Sequence, residues 1–534
     1  MTTATREQER DAHPAGVWRA LAIVAVVACF VWIPYAIEQV PMPFGMDPIP
    51  AEHFQVVGPD DEIPLSDLLT ADPRQGGASL AGALRRQTLL EEDDEALMEA
   101  APLPEAVEVQ PQRSRRRPPR RGEEDRQQTP LPRVDPEEYA GLTQPIEDPH
   151  GSMRAFYRQL GRVQRDRPVL ARMGVYGTST NGADRMTEQL RVLLQRRFGD
   201  GGKGWVPVAP GWRYQRHQNV SWSHDHWRTY VVNRSDGPLD RYGFGGVLAI
   251  NRHRGAFSTI GTAEDEPAGN RVSVFRVFHQ AWPGGGRLSL QVDDEEPRIV
   301  DTGAQTVEDR VETVEVPDGP HALTLTPVAG EDEEASENLR LYGVVLERDG
   351  PGVVVDGLML IGAFTRVLRL FAPEHLETQI QQRDPNLLVF WMGANDAVSE
   401  TMPFIPDQYR EHYRGILRRY QDAQPEMSCM VMSILDKGER VRGRIRTRER
   451  VPRLVAIQRE IAHAEGCAFF DTYEALGGRG TMRRWYGNSP RLVTADLGHL
   501  TAAGSRILGT LLYRALMKGY DDWIADGEPA PGEQ

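Results

Sequence analysis

Hydrophobic positions in the C-terminal two thirds of the chain switch between short apolar runs and segments with apolar residues every three or four positions. Residues 169–176, VLARMGVY, form one such run and predict a strand. Met186, Leu190 and Leu194 then predict a helix that ends at Gly199. Further apolar runs, separated by helical spacing, occur at residues 353–355, 387–392, 427–435 and 467–471. This alternation predicts an α/β fold with a mostly parallel sheet, covered by helices on both faces.

The pattern changes between residues 206 and 350, where apolar and polar positions alternate in short runs. Leu288 and Leu290 are typical of these runs, and the segments PGGG at 283–286 and PDGP at 317–320 are turn signals. Short alternating strands with turns at this spacing predict a β-sandwich inserted into the α/β domain.

The N-terminal region contains one long apolar segment. Residues 20–37, ALAIVAVVACFVWIPYAI, are 18 residues without a charge, which is long enough to cross a bilayer as a helix. Arg6 and Arg19 precede this segment, which favours a cytoplasmic N-terminus at 1–19 and an exported remainder. We therefore predict a single-pass inner-membrane anchor. A cleaved signal peptide and a lipoprotein modified at Cys29 are the alternatives.

Residues 38–148 are rich in Pro, Glu, Asp and Arg and poor in aromatics. They cannot bury enough apolar surface to offset the loss of chain entropy, so we predict a disordered linker. Within it, the run RSRRRPPRR at 113–121 is either a solvated charge run or a contact for anionic lipid or an anionic cell-wall polymer. The whole chain of 534 residues has a formal charge of −15, which argues against general nucleic-acid binding because a polyanion would be repelled.

Polar residues with catalytic potential stand at three places in this pattern. Ser179 follows the first strand, and a side chain there lies at the carboxyl edge of the sheet, where open α/β folds keep their sites. Asn395 follows the run at 387–392 and reaches the same edge. Asp496 and His499 come just before the last helix, and an acid three residues ahead of a histidine can hold the imidazole while its other nitrogen faces a serine.

A serine early in the chain, G-x-N-D in the middle and D-x-x-H last is the order of the SGNH (GDSL-type) hydrolases, which this chain resembles. The segments RVLLQRRFGDGGKG at 191–204 and GSRILGTLLYRAL at 504–516 are similar to the bacterial branch that contains peptidoglycan O-acetylesterases. The resemblance implies a flavodoxin-like three-layer fold for the α/β domain.

The resemblance also implies a role for each residue. Ser179 would attack the acyl carbonyl, His499 would act as base and then as acid, and Asp496 would fix the imidazole tautomer. The oxyanion would be bound by the N–H groups of Ser179 and Gly362 and by the side-chain amide of Asn395. This scheme requires no cofactor and no metal ion.

For the whole chain, the resemblance implies an SGNH hydrolase domain at 149–205 and 351–520, a carbohydrate-binding-like β-sandwich at 206–350 and a tail at 521–534. The expected function is an envelope-facing serine esterase that removes O-acetyl groups from a cell-wall glycan, with peptidoglycan as the leading candidate. One alternative is an O-acetyltransferase to an envelope polysaccharide, working beside a membrane-bound acyl-transporting partner. Another is a catalytically dead glycan-binding protein.

The chain has three cysteines, of which Cys29 lies in the predicted anchor. Cys429 and Cys467 lie on consecutive predicted strands. A disulfide and two buried free thiols are both compatible with this pattern.

Overall fold

In the computed structural model of the protein, the described residues are 130–234, 240–251, 253–264, 266, 268–328, 338–399 and 403–527. The predicted anchor at 20–37 and most of the predicted linker lie outside these ranges. Within them, no helix is both long enough and apolar enough to cross a membrane.

A five-stranded parallel sheet forms the centre of the α/β domain. With strands numbered along the whole chain, its members are β1 (Leu170–Gly177), β13 (Gly352–Met359), β14 (Leu387–Trp391), β15 (Ser428–Met432) and β18 (Ala468–Phe470). Their order is β13-β1-β14-β15-β18, which is the flavodoxin-like order 2-1-3-4-5 of the five strands. The direction of winding reverses between β1 and β14, and such folds bind ligands at the carboxyl ends of the strands there.

Helices cover both faces of this sheet. They are α1 (Arg154–Gln164), α2 (Arg185–Phe198), α3 (Pro373–Arg383), α4 (Ala394–Val398), α5 (Pro406–Ala423), α6 (Arg450–Ala464), α7 (Thr472–Ala475), α8 (Thr481–Tyr486) and α9 (Ala502–Ala525). Met173 and Val175 of β1 share a buried cluster with α1, α2 and α9, whereas Tyr176 shares one with α3, α5 and α6. Since successive strand residues point to opposite faces, β1 is buried on both sides. The predicted α/β fold is confirmed.

Residues 204–347 contribute two antiparallel sheets. Their strands are β2 (Gly204–Pro207), β3 (Ser221–Asp225), β4 (Trp227–Val231), β5 (Val247–Asn251), β6 (Phe257–Gly261), β7 (Val272–Ala281), β8 (Arg287–Val292), β9 (Arg298–Asp301), β10 (Glu308–Gly319), β11 (Ala322–Val328) and β12 (Arg340–Glu347). One sheet has the order β10-β7-β12-β5-β4, with β2 paired to β12, and the other has the order β3-β6-β11-β8-β9. Phe275 of β7 and Leu290 of β8 belong to one buried cluster, so the two sheets pack face to face.

The sandwich packs directly against the α/β domain. Trp205, Phe278 and Tyr342 of the sandwich share a buried cluster with Tyr176 of β1. The Tyr176 hydroxyl donates a hydrogen bond of 2.7 Å to the carbonyl of Phe244, in the segment that joins β4 to β5. Apolar and polar contacts therefore both hold the sandwich against the face of the sheet that carries the Tyr176 side chain.

Charged side chains are buried where β12 meets β13 and α3. The guanidinium of Arg383 donates to Asp356 at 2.7 Å and to Glu347 at 2.7 Å, and Arg172 donates to Glu347 at 2.7 Å. Burial alone would raise the pKa of Glu347, but Arg383 and Arg172 lower it to about 2. Glu347 therefore stays ionised, and the sandwich is bound to the α/β domain by paired buried charges.

Residues 130–148 have a defined structure, although their composition predicts a disordered linker. Val134 is buried, its backbone N–H donates to Asp521 at 3.0 Å, and Glu147 pairs with Phe469 beside the sheet. Residues 130–148 are thus wrongly assigned to the disordered linker, because their few apolar residues reach the core of the α/β domain. Asp521, assigned to the tail, lies in α9, which runs to Ala525.

Cys429 of β15 and Cys467, just before β18, form a disulfide. Both residues are buried. Of the two states that the sequence left open, the structure has the paired one.

A short hairpin completes the described strands. It consists of β16 (Gly438–Val441) and β17 (Arg444–Thr447). The hairpin is absent from the sequence-based expectations, because four of its eight strand residues are charged and only Val441 and Ile445 are strongly apolar.

Candidate active site

Three loops that follow strands of the parallel sheet meet at its carboxyl edge. Ser179 follows β1, Gly362 follows β13, and Asn395 lies in α4 after β14. Because β1 pairs with both β13 and β14, the three loops are neighbours. The N–H of Leu360 donates to the carbonyl of Gly177 at 2.8 Å and joins the first two loops.

The side chains of Ser179, His499 and Asp496 form a hydrogen-bonded chain. Oγ of Ser179 is 2.7 Å from Nε2 of His499, and Nδ1 of His499 is bonded to the carboxylate of Asp496. A carboxylate accepts, so Nδ1 carries the proton and Nε2 accepts from the serine hydroxyl. With this geometry an imidazole can remove the serine proton during attack on an acyl carbon.

Several donors hold Asp496 in its ionised form. Its Oδ1 accepts from the backbone N–H of Gly498 at 2.8 Å and from that of His499 at 3.1 Å, and from the Thr494 hydroxyl at 2.6 Å. Burial alone would raise the pKa of Asp496, but the bonds from His499, Thr494 and Gly498 bring it well below its ordinary value. Asp496 is therefore a carboxylate at neutral pH and can stabilise an imidazolium.

The hairpin β16–β17 supports the loop that carries the acid and the histidine. The N–H of Gly438 donates to the carbonyl of Leu497 at 2.8 Å, and the buried ammonium of Lys437 donates to the carbonyl of Gly498. Leu497 has φ +58°, a conformation that an ordinary side chain keeps only where its surroundings enforce it. Gly443, with φ +75°, forms the turn of this hairpin. A glycine between two short segments is the sequence signal that could have indicated it.

Gly362 and Asn395 lie side by side in the region after β13 and β14. Gly362 has φ +77°, which favours glycine over any residue with a Cβ. Nδ2 of Asn395 donates to the carbonyl of Ala363 at 2.8 Å. A side-chain amide has two N–H groups, so this bond positions Asn395 and leaves the other N–H for a ligand. The structure thus brings together Gly362 and Asn395, two of the three residues that the resemblance assigns to the oxyanion.

A buried ion cluster fixes the end of the Ser179 turn. The carboxylate of Asp184 is 3.2 Å from Arg191 and 2.8 Å from Lys203, and it accepts from the N–H of Gln218 at 3.1 Å. Burial alone would raise the pKa of Asp184, but Arg191 and Lys203 hold it well below its ordinary value. Asp184 is not among the residues predicted from the sequence, although both cations lie in the segment 191–204 that carried the family resemblance.

The described residues contain no group of three or more His, Cys, Asp or Glu side chains that could hold a metal ion. The chemistry that the site can perform rests on a serine hydroxyl joined to an imidazole and a carboxylate, at the switch point of a flavodoxin-like sheet. Fold and site together define a serine hydrolase of the SGNH type.

The GDSL-like lipase/acylhydrolase family matches residues 330–507. This match, together with the hydrogen-bonded side chains of Ser179, His499 and Asp496, identifies the protein as a serine esterase. The match contains Gly362, Asn395, Asp496 and His499. Ser179 lies before it, because the sandwich separates β1 from the other strands of the parallel sheet.

A solved structure of a peptidoglycan O-acetylesterase is similar to this chain, with a TM-score of 0.59, 20% identity, and coverage of 71% of this chain and 99% of that one. At this identity the similarity shows a shared fold. The acetyl xylan esterase AlAXEase (17% identity, 31% and 81% coverage, TM-score 0.26) and a family two carbohydrate esterase from Cellvibrio japonicus (11%, 46% and 86%, 0.19) are more distant. No curated protein matches the sequence.

Proposed function

We propose that this serine esterase removes O-acetyl groups from a glycan of the cell envelope, and that the glycan is peptidoglycan. The observation that carries the proposal is the 2.7 Å separation of Ser179 Oγ and His499 Nε2 at the edge where Asn395 and Gly362 also lie. The fold shared with a peptidoglycan O-acetylesterase over 71% of the chain supports the choice of substrate.

In the proposed reaction, Ser179 attacks the acetyl carbonyl carbon while His499 takes the hydroxyl proton. The negative oxygen of the tetrahedral intermediate accepts hydrogen bonds from the N–H groups of Ser179 and Gly362 and from the amide of Asn395. His499 then gives its proton to the departing sugar oxygen, which leaves an acetyl-serine. Water attacks this ester with His499 again as base, and acetate and free Ser179 are formed.

The proposal includes the location of the enzyme. Residues 20–37 would anchor the chain in the inner membrane, and the linker after them would let the hydrolase domain reach the glycan from the periplasmic side. The uncharged run of 18 residues supports this placement. The sandwich would act as a carbohydrate-binding-like module beside the active site.

Acetate release tests the substrate directly. We expect the full-length protein to release acetate from O-acetylated peptidoglycan faster than from acetylated xylan, and to release none from peptidoglycan whose acetyl groups were removed by mild base. Faster release from xylan would contradict peptidoglycan as the substrate. In a parallel assay with an acetyl donor and unmodified glycan, acetylation of the glycan in excess of hydrolysis would favour the transferase alternative.

Replacement of Asn395 by alanine is expected to lower kcat about a hundredfold to a thousandfold, because one oxyanion donor is lost. The change should leave the thermal midpoint of unfolding nearly unchanged, since Asn395 lies in a short surface helix. The measurement is steady-state hydrolysis of p-nitrophenyl acetate. Asn488→Ala, which removes an exposed amide bonded to the carbonyl of Pro490, is the control. Equal kcat for both variants would exclude Asn395 from the oxyanion site.

A further inference from the structure

One residue of the sandwich reaches into the turn that holds Gly362. Asn233 follows β4, and its Nδ2 donates to the carbonyl of Ile361 at 2.9 Å. Its backbone is well fixed, because Val231 and Val232 are buried in the cluster shared with the α/β domain and the N–H of Val232 donates to Gly246 at 3.1 Å. The contact therefore joins the sandwich to the loop that follows β13.

The contact acts on the peptide unit that contains the Gly362 N–H. The carbonyl of Ile361 and the N–H of Gly362 belong to the same planar group and point in opposite directions. A bond that holds the carbonyl therefore also sets the direction of the N–H. The following peptides are held from within the α/β domain, by the bond of 3.0 Å from the Ala363 N–H to Leu360 and by the bond of 2.8 Å from Asn395 to Ala363.

The same turn lies against the nucleophile loop. A Cβ built on Gly182 would be 3.2 Å from the side chain of Ile361, so Ile361 packs on the turn that begins at Ser179. A Cβ built on Gly362 would be 3.9 Å from Nδ2 of Asn233. The amide of Asn233 is thus next to the peptide that it orients.

The other end of the Asn233 side chain has no compensating bond. Its Oδ1 is buried, with no hydrogen-bond partner among the described residues. A buried acceptor without a partner costs stability, so the side chain is poorly explained as a stabilising element. A catalytic role is one of the explanations for such a group.

We propose that Asn233 is a positioning residue for the oxyanion site, so that the inserted sandwich completes the active site of the hydrolase domain. The inference rests on the proposed function, because it assumes that the Gly362 N–H binds the oxyanion. Asn233 holds the Ile361–Gly362 peptide in the donating orientation before the substrate arrives. Acceptance of a hydrogen bond by the Ile361 carbonyl also polarises the Gly362 N–H and strengthens it as a donor.

The test uses full-length Asn233→Leu and Asn233→Asp with p-nitrophenyl acetate. Both substitutions nearly conserve volume, and both remove the N–H that holds Ile361. We expect kcat to fall about tenfold to a hundredfold while KM changes less than about twofold, because the oxyanion exists only in the transition state and intermediate. Asn233→Ser, with a smaller polar side chain, is measured as a third variant and replaces any variant that circular dichroism shows to be unfolded.

Gln382→Leu is the matched control. Gln382 lies in α3, and its Nε2 also donates across the junction of the two domains to a carbonyl, that of Asp309 in β10 at 2.9 Å. That carbonyl lies outside the loops that carry Ser179, Gly362 and Asn395, so we expect kcat to stay within about threefold of the wild-type value. A loss in Gln382→Leu as large as that in the Asn233 variants would show a general loosening of the junction and overturn the inference.

The remaining outcomes separate this inference from the proposed function. If the wild-type protein is far faster than Ser179→Ala and the folded Asn233 variants match the wild type in kcat, the inference is overturned and the esterase remains. A change in KM alone would likewise overturn it. If the wild-type protein is no faster than Ser179→Ala, both the esterase and the role of Asn233 are overturned.

Discussion

Ser179→Ala is expected to lower kcat for p-nitrophenyl acetate by about a thousandfold to a millionfold, the range typical of a lost nucleophile in a serine hydrolase. The loss is large because Nε2 of His499 then has no hydroxyl to deprotonate. The fold should be unaffected, since the substitution removes one partly exposed oxygen whose side-chain hydrogen bond is to His499.

The assay compares initial rates of the purified full-length variants, with thermal unfolding to verify the fold. Thr180→Ala, which removes the neighbouring hydroxyl in the same short turn, is the matched control and should keep most of the wild-type rate. Equal rates for wild type and Ser179→Ala would leave a glycan-binding protein with an inactive Gly177–Ser179 turn as the better description.

The largest effect on stability is expected at Arg383. Arg383→Met should lower the free energy of unfolding by about 3–5 kcal/mol, because it leaves Asp356 and Glu347 as buried carboxylates without their shared cation. Methionine has nearly the volume of arginine, so the decrease in the free energy of unfolding is caused by the lost charge and not by a cavity. Urea unfolding at neutral pH, monitored by tryptophan fluorescence, provides the measurement.

Arg418→Met is the control for this effect. Arg418 pairs with Glu465 at 2.6 Å, but its side chain is 64% exposed, and exposed pairs contribute about 0–1 kcal/mol. A loss in Arg383→Met no larger than in Arg418→Met would show that the buried network contributes little to the junction between sandwich and sheet.

The parts of the fold that could be predicted are those with a local signal. The apolar run of β1 is buried on both faces, as a parallel strand requires, so its pattern alone identified it. Ser179, Asn395 and His499 were found because each follows or precedes a strongly patterned element. These residues lie close together because the carboxyl ends of parallel strands are at the same edge of the sheet.

The parts that could not be predicted depend on partners far away in the chain. Asp184 shows no pattern until Arg191, Lys203 and Gln218 are brought to it, and Lys437 looks like any surface lysine until the loop of Gly498 folds over it. The composition of residues 130–148 likewise led to a wrong prediction of disorder. A few apolar side chains are enough to order a segment when they pack against the core of a neighbouring domain.

The inserted sandwich leaves and rejoins the hydrolase domain on paired strands, with Gly204 opposite Leu346. Neighbouring strands are roughly 5 Å apart, so a short peptide could connect the two positions in a shortened chain that lacks the sandwich. The shortened chain would nevertheless expose Tyr176 and Leu360 to water and lose the amide that steadies Ile361. The chain connections would thus allow the sandwich to be removed, but its contacts with the hydrolase domain would be lost. Transfer of the sandwich to a related hydrolase would therefore also require transfer of the residues that it contacts, such as Tyr176 and Ile361.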